Sequence, residues 1–426
     1  MLDIKTLRSD PSAVRAGLTL RGDKEALASL DLCLSLDERR RALIGEVEVL
    51  KARRNEASRE VGERKQRGED AEELVSEMKG VSDEIKALDR VLTGIDEQLR
   101  GVLLGLPNPP DGRVPAGAEG EGPVLREWGE KASFEFEPVS HWDLGARLGI
   151  LDLERASRIS GSGFPLLLGA GARLSRALIQ FMLDLHVEEH GYVEVAPPLL
   201  VNRDALTATG QLPKFEEDVY RTEPDDLFLV PTAEVPVTNL HCGDILDESE
   251  LPVAYVAHTP CFRREAGAAG RDTRGLLRVH QFDKIELVRF CAPQAAEEQL
   301  ESLTRHAEVV LERLGLTYRR ILLPAGDLGF ANSITYDLEV WAPGVEKWLE
   351  VSSCSSYTDF QARRGGIRYR PAGGGKPGFV TTLNGSGVAI ARTLVAVLEH
   401  GQEEDGSVRI PRVLQPYMGT DRLTVP

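Results

Sequence analysis

The 426-residue sequence predicts an α+β protein, an antiparallel sheet flanked by helices, preceded by an N-terminal antiparallel coiled-coil arm. Three observations carry that expectation. Heptads run through two segments near the N-terminus, and a stretch rich in Pro and Gly follows them. Beyond it, short strand-like runs at hairpin spacing accompany a long amphipathic helix.

The arm comes first. Leu74, Met78, Val81, Ile85, Leu88, Leu92, Ile95, Leu99 and Val102 alternate steps of four and three. Upstream, Leu36, Leu43, Leu50 and Ala57 fall seven apart, with Val47 and Val61 on the companion seam. The polar turn RKQRGEDAEE around Gly68 joins the two, so residues 30–103 read as a helical hairpin. Helices of about 30 residues would each be roughly 45 Å long at the helical rise. A hairpin has too few faces for a globular core and is expected to project. Its charge is uneven: residues 51–67 hold seven basic and three acidic side chains, whereas residues 69–100 hold ten acidic and four basic ones. Two readings follow. The charges pair between the helices, or the basic edge with Arg53, Arg54 and Arg59 tracks a nucleic-acid backbone.

LPNPPDGRVPAGAEGEGP, residues 106–123, has the composition of a linker. With the linker set at 106–125, it separates an N-terminal domain of residues 1–105 from a second domain of residues 126–426. In the second domain a helix is expected over 171–189, with Leu174, Leu178, Phe181 and Leu185 on one face. YVEVAPPLLV, LFLVPT, VAYVAH and KIELVRF read as strands. GAGARL at 169–174 lacks the third glycine of a dinucleotide fingerprint and reads as a turn. PAGGGKPG at 371–378 reads as a flexible loop, and no P-loop is present.

Composition bounds the function. No apolar run reaches the roughly 18 residues of a membrane span, and the N-terminus lacks the plan of a secretory signal. Five scattered cysteines without C-x-x-C spacing argue for reduced thiols in a cytoplasm and against a Cys-rich zinc site. A net charge of −17 argues against nonspecific coating of nucleic acid. Yet CFRREAGAAGRDTRGLLRVHQFDKIEL gathers Arg263, Arg264, Arg271, Arg274 and Arg278 among glycines and alanines, a local site for a polyanion.

Two further stretches could carry chemistry. GSGVAIARTLVAVLEH, residues 385–400, reads as a buried helix, apolar all round from Gly385 to Leu398 except for small hydroxyls and Arg392. A buried cation needs an anionic partner, either a structural carboxylate or a phosphate. Gly385 and Gly387 around Ser386 would let a ligand approach the helix start. In WLEVSSCSSYTDFQARR, strand alternation puts Glu350 and Ser352 on one face and Ser353 on the other. A carboxylate beside hydroxyls at a phosphate site suits magnesium.

Taken together these stretches resemble seryl-tRNA synthetase, a class II aminoacyl-tRNA synthetase, nearly end to end. MLDIKTLRSDP, HWDLGARLGILD, PTAEVPVTNL, FRREAGAAGRDTRGLLRVHQFDKIEL, TLNGSGVAIARTLVAVLEH and IPRVLQPYM fall in family order, and the arginine-rich stretch is the most specific. The resemblance implies a class II antiparallel sheet and a homodimer, with GYVEVAPPLLV as the dimer-interface motif. It implies formation of seryl-adenylate from L-serine and ATP, then transfer to the 3′ end of tRNA-Ser, and of tRNA-Sec as well. Arg263 would contact the α-phosphate and the serine carboxylate, Glu265 would place the adenine, and Phe282 would stack on it. Arg278 and Arg392 would clamp the γ-phosphate; the strand Glu350, Val351, Ser352, Ser353 would border ATP, with Glu350 and Ser353 on magnesium. Thr232, Glu234, Glu286, Asn384 and Ser386 map onto the serine pocket, and Gly267 to Arg274 onto a loop facing the acceptor stem. The hairpin would grip the long variable arm of tRNA.

The sequence departs from the family pattern at Arg264, Ala268 or Ala269, Ser356, Tyr357 and Thr381. Three alternatives stand beside the main reading: an adenylate-forming paralogue serving a carrier protein, an inhibitor-resistant duplicate, and a catalytically dead scaffold. The paralogue should have a shortened arm. The scaffold should have lost Arg263, Glu286 or Arg392, and all three are present.

Overall fold

The computed structural model describes residues 1–266 and 274–425; Arg271 and most of the loop assigned to the acceptor stem lie outside them. The chain divides into two compact units, Met1–Pro107 and Asn108–Pro426.

The first unit is helical: α1 (Ile4–Ser9), α2 (Pro11–Leu20), α3 (Lys24–Gln66) and α4 (Glu72–Gly105). Asp3, Asp10 and Asp23 each cap a helix by accepting from a backbone N–H of its first turn. Because α3 starts at the Asp23 cap, it has 43 residues and α4 has 34, longer than the heptads alone suggested. At the helical rise these are ~64 and ~51 Å. Gly68, with φ of +73°, turns the chain between them. Met78, Val81, Ile85, Ile95 and Leu99 are buried along α4, facing Leu36, Val47 and Ala57 of α3. At the base, Leu7, Val14 and Leu18 join Leu30, Leu99 and Leu103 in a small four-helix core. Helices as short as α1 and α2 show no period, so the sequence reading missed that core.

The second unit is built on an eight-stranded sheet: β1 (Val124–Trp128), β2 (Val193–Glu194), β3 (Val253–Phe262), β4 (Gln281–Cys291), β5 (Tyr318–Leu322), β6 (Ile334–Ala342), β7 (Lys347–Ser356) and β8 (Thr381–Ala389). The spatial order is β1-β5-β6-β7-β8-β4-β3-β2, antiparallel except where β2 joins β3. Helices α5 (His141–Arg147), α6 (Gly169–Glu188), α7 (Ala296–Leu314) and α8 (Ile390–Gly401) pack around it. On α6, Leu174, Leu178, Phe181 and Leu185 are all buried. Residues from Asn108 onward, inside the stretch read as linker, bond to this unit: Asn108 Nδ2 donates to the Ala331 and Tyr357 carbonyls at 3.0 and 2.9 Å.

Three local readings are corrected. GAGARL is not a turn but the first turns of α6, where a Cβ on Gly171 would lie 2.6 Å from the Ile150 carbonyl oxygen. Gly385, Ser386 and Gly387 lie on β8 rather than on a helix, and α8 begins only at Ile390. Their glycines serve packing: a Cβ on Gly385 would sit 2.6 Å from Leu303 of α7, and one on Gly387 would sit 2.7 Å from His186 of α6. Lastly, the pairing of β7 with β6 shifts register between Glu350 and Ser352. That bulge breaks alternation and brings Ser353 round to the side of Glu350.

Candidate active site

One face of the central strands carries a cavity of about 280 Å³. Alternation on β4 aims Phe282, Lys284 and Glu286 into it; on β8 it aims Asn384 and Ser386. From β7, past the bulge, come Ser353 and Ser355 beside Glu350. The segment after β3 supplies Arg263 and Glu265, and residues 276–279 close another wall. Glu265 takes φ of +52°, an uncommon conformation for a non-glycine residue.

At one end the groups are buried and paired. Thr232 Oγ1 donates to Glu286 Oε2 at 2.7 Å, and the Lys284 ammonium ion-pairs with the same oxygen. Gln361 Nε2 donates to Glu234 Oε1 at 2.6 Å, and its own carbonyl oxygen accepts from Thr382 Oγ1 at 2.7 Å. Burial, then the charge of Glu286, pushes the Glu234 carboxyl up to about 7. Tyr357 donates its hydroxyl to Asn384 Oδ1 at 2.9 Å, and the buried Asn384 Nδ2, whose amide stands near enough to Glu234 to favour its ionised form, makes no close hydrogen bond to protein. A buried amide donor without a partner is costly and marks a place for a ligand's acceptor.

At the other end the groups are charged and partly wet. Arg392 Nη1 lies 3.2 Å from Glu350 Oε2 and donates to the Glu350 carbonyl at 2.7 Å; its Nε donates to the Leu277 carbonyl at 3.2 Å. Its side chain is 29% exposed, so it leaves α8 for the cavity instead of lying buried among apolar neighbours. Arg278 Nε reaches Glu265 Oε2 at 3.3 Å. Between the ends, the Arg263 guanidinium stands 5.3 Å from the Phe282 ring centre, and its Nε donates to the Pro231 carbonyl at 3.2 Å.

Glu350 and Ser353 together make an oxygen-only corner. Ser353 Oγ lies 3.4 Å from Glu350 Oε1, and Asp337 stands opposite Ser353 in register with a buried, unpaired Oδ1. The Glu350 side chain is 45% exposed and lines the cavity. Burial pushes its carboxyl up, yet the guanidiniums of Arg392 and Arg263 outweigh that and hold it below the ordinary carboxylate value. Burial and then the Glu350 charge push Asp337 well above its own. No group of three or more His, Cys, Asp or Glu among the described residues could hold a metal alone. A hard cation here would draw its remaining ligands from phosphate and water, as magnesium does.

The structure thus gathers Glu234, Arg263, Glu265, Arg278, Phe282, Glu286, Glu350, Ser353, Asn384, Ser386 and Arg392 around one cavity, with Thr232 bonded behind Glu286. Val351 and Ser352 stand elsewhere: the Val351 side chain is in the core, and Ser352 Oγ donates to the Ser386 carbonyl at 2.6 Å. Arg274 lies outside the cavity, its guanidinium 4.7 Å over the Trp142 ring. On the arm, Arg53 pairs with Glu77 across the hairpin and Arg59 stands 4.0 Å from Glu63. Arg54, on the same helix, is half-buried. Sequence reasoning overlooked Lys284, Gln361 and Tyr357. Alternation from Phe282 to Glu286 could have found Lys284; Tyr357 was marked only as a departure from the family pattern, and nothing local marked Gln361.

Family models match both units: "Seryl-tRNA synthetase N-terminal domain" over residues 1–110 and "tRNA synthetase class II core domain (G, H, P, S and T)" over 214–401. The chain is 54% identical over 422 residues to the serine–tRNA ligase of Nitratidesulfovibrio vulgaris, with 98% of each covered. It is also 54% identical to that of Caldanaerobacter subterraneus, with 99% of each covered. Among solved structures, seryl-tRNA synthetase from Pyrococcus horikoshii complexed with ATP superposes with a TM-score of 0.96 at 38% identity, all of both chains covered. The cytoplasmic enzyme of Naegleria fowleri in complex with AMP gives 0.90 at 28%, covering 100% of this chain and 99% of that one. With both domain models matched in order and identity above one half across the whole length, the chain belongs to the seryl-tRNA synthetases of class II.

Proposed function

We propose that the chain is a serine–tRNA ligase that activates L-serine with ATP and passes the seryl group to the 3′ end of tRNA-Ser, and of tRNA-Sec where one exists. The observation that carries this is the two-ended cavity: a small, buried end with paired carboxylates beside an open end with two arginines. The relatives' names and the ATP and AMP complexes agree with it. A full-length arm and intact Arg263, Glu286 and Arg392 do not favour a carrier-protein paralogue or a dead scaffold.

In this reading, Glu286 and Glu234 receive the serine ammonium and hydroxyl, with Thr232 and Lys284 fixing Glu286. Asn384 Nδ2 donates to an acceptor oxygen of the bound substrate. Arg263 bridges the serine carboxylate and the α-phosphate, and Phe282 stacks on the adenine that Glu265 places. The carboxylate oxygen attacks the α-phosphorus, forming the acyl-phosphate bond as the bond to pyrophosphate breaks. Serine's carboxylate is already a nucleophile, so this step needs alignment and charge neutralisation and no general base. Arg278 and Arg392 hold the departing phosphates. Glu350 and Ser353 would hold a magnesium ion, which supplies further neutralisation of phosphate charge when bound.

The hairpin grips the long variable arm of tRNA through backbone and shape, with Arg53, Arg54 and Arg59 on its basic edge. Arg53 can exchange Glu77 for a phosphate at small cost, because exposed ion pairs are worth only ~0.2–1 kcal/mol. Arg271 and Arg274 face the acceptor stem. Function as a cytoplasmic homodimer completes the proposal; no helix among the described residues is long and apolar enough to cross a membrane.

The test separates the two half-reactions. Deleting residues 36–102 and closing the gap with a short linker leaves serine-dependent pyrophosphate exchange and abolishes charging of tRNA-Ser. Normal charging by the armless protein refutes the arm's role. Exchange with another amino acid in place of serine refutes the substrate.

A further inference from the structure

Glu399 is buried on α8, two turns beyond Arg392, and its carboxylate is fully used. Oε1 accepts from the backbone N–H of His141 at 2.9 Å and from His141 Nδ1 at 2.8 Å. Oε2 accepts from the backbone N–H groups of Gly344 and Val345 at 2.8 and 3.2 Å. An acceptor-only carboxylate assigns the His141 proton to Nδ1. Nε2 is then a bare acceptor, and it takes the Leu276 backbone N–H at 3.0 Å. His141 is itself fully buried. The backbone rides directly on the imidazole: Gly275 has φ of +69°, and a Cβ there would stand 2.2 Å from His141 Nε2.

This grip falls where the cavity wall begins. Leu276, Leu277 and Arg278 follow in sequence, the Leu277 carbonyl accepts from Arg392 Nε at 3.2 Å, and Arg278 reaches Glu265. Residues 276–278 are therefore held from two sides by one helix, through Arg392 directly and through Glu399 by way of His141. We infer that the buried Glu399–His141 pair is a positioning device for the phosphate end of the site, fixing the 276–278 backbone so that Arg278 and Arg392 converge on the same phosphates. This rests on the reading that those arginines hold ATP. A ligand's second-line partner of this kind fixes tautomer and orientation without touching the reacting atoms.

Two substitutions divide the pair's halves. His141→Asn keeps a donor near Nδ1 for Glu399 but loses the acceptor for Leu276. His141→Gln can place an acceptor near Nε2 while losing the donor to Glu399. Serine-dependent pyrophosphate exchange is measured for both, alongside Arg392→Ala, at varied ATP and varied serine. Loss of one buried backbone bond should raise KM for ATP by roughly tenfold in His141→Asn with KM for serine unchanged, and His141→Gln should recover part of it. A uniform loss of active protein, as from misfolding, would lower kcat for both substrates without that split. Equal KM values for ATP in wild type and in whichever variants fold overturn the inference, as does a loss without the split in both. If Arg392→Ala itself leaves KM and kcat for ATP unchanged, the underlying reading of the arginines fails instead.

Discussion

The two ends of the cavity are built on opposite principles. At the inner end both carboxylates are buried: Glu286 and Glu234 are 1% and 8% exposed, and Thr232, Lys284 and Gln361 pair with them. At the outer end Arg392, Arg278 and Glu350 are 29%, 32% and 45% exposed; Arg392 pairs with Glu350 at 3.2 Å and Arg278 with Glu265 at 3.3 Å. The difference teaches where selectivity can reside. A buried acceptor left without its ligand donor incurs its full desolvation cost, so the inner end can discriminate steeply between a hydroxyl and its absence. Under the proposed roles, the wet charges of the outer end hold polyphosphate with little discrimination and act on transition-state charge, so selectivity belongs inside and rate outside.

The largest test of that division is Glu286→Ala. It should abolish serine activation, by more than about 10³-fold in exchange, because a site built around a buried acceptor tolerates its loss poorly. ATP binding measured by fluorescence or calorimetry should change little. Near-normal exchange would break the assignment of the inner end. Next comes Arg392→Ala, expected to slow activation on the order of 10²–10³-fold, as loss of one charge-stabilising donor does. Thermal unfolding separates this from a purely structural pairing with Glu350: an unstable variant with normal specific activity would make Arg392 a scaffold residue.

A pH series sharpens the comparison further. The carboxyl of Glu234 sits at about 7 in the protein against an ordinary 4.5. If its ionised form attracts the serine ammonium, kcat/KM for serine falls as pH drops below about 7 and is flat above. Glu234→Gln should remove that limb, while kcat/KM for ATP keeps its own profile. For stability the sign is reversed. A carboxyl raised on folding contributes most below pH 4.5, and that contribution is lost as pH rises through about 7. Smallest of the set is Tyr357→Phe. It removes one hydrogen bond to Asn384, worth about 1 kcal/mol, and should lower kcat/KM for serine by roughly fivefold without altering KM for ATP. Tyr357 is one of the positions where the sequence departs from its family's pattern, so an effect confined to serine would tie that departure to the inner end.

Much of this molecule was legible from its residues. Heptads expose a period of seven directly, so the hairpin and its seam, from Leu36 to Leu99, could be read without coordinates. Strand alternation from Phe282 to Glu286 placed both on one face for the same reason, a local geometry repeating every two residues. The resemblance named the other cavity residues, and the structure brings nearly all of them together.

What the residues could not show is where local rules break or where distant segments meet. The bulge at Glu350 to Ser352 reverses the face of Ser353, and no composition signal announces it. Gly385 and Gly387 looked like the start of a ligand-binding helix, but their missing side chains make room for Leu303 and His186, more than 80 residues away in the chain. Lone polar residues such as Gln361, Tyr357 and His141 carry no periodicity; they acquire partners only when strands and helices pack. The sequence by itself determined the arm, the shared face of Phe282 and Glu286, and the family, because period and motif are properties of neighbours in the chain. Tertiary structure alone decided which buried acceptor meets which donor, because that depends on contacts between residues tens to hundreds of positions apart.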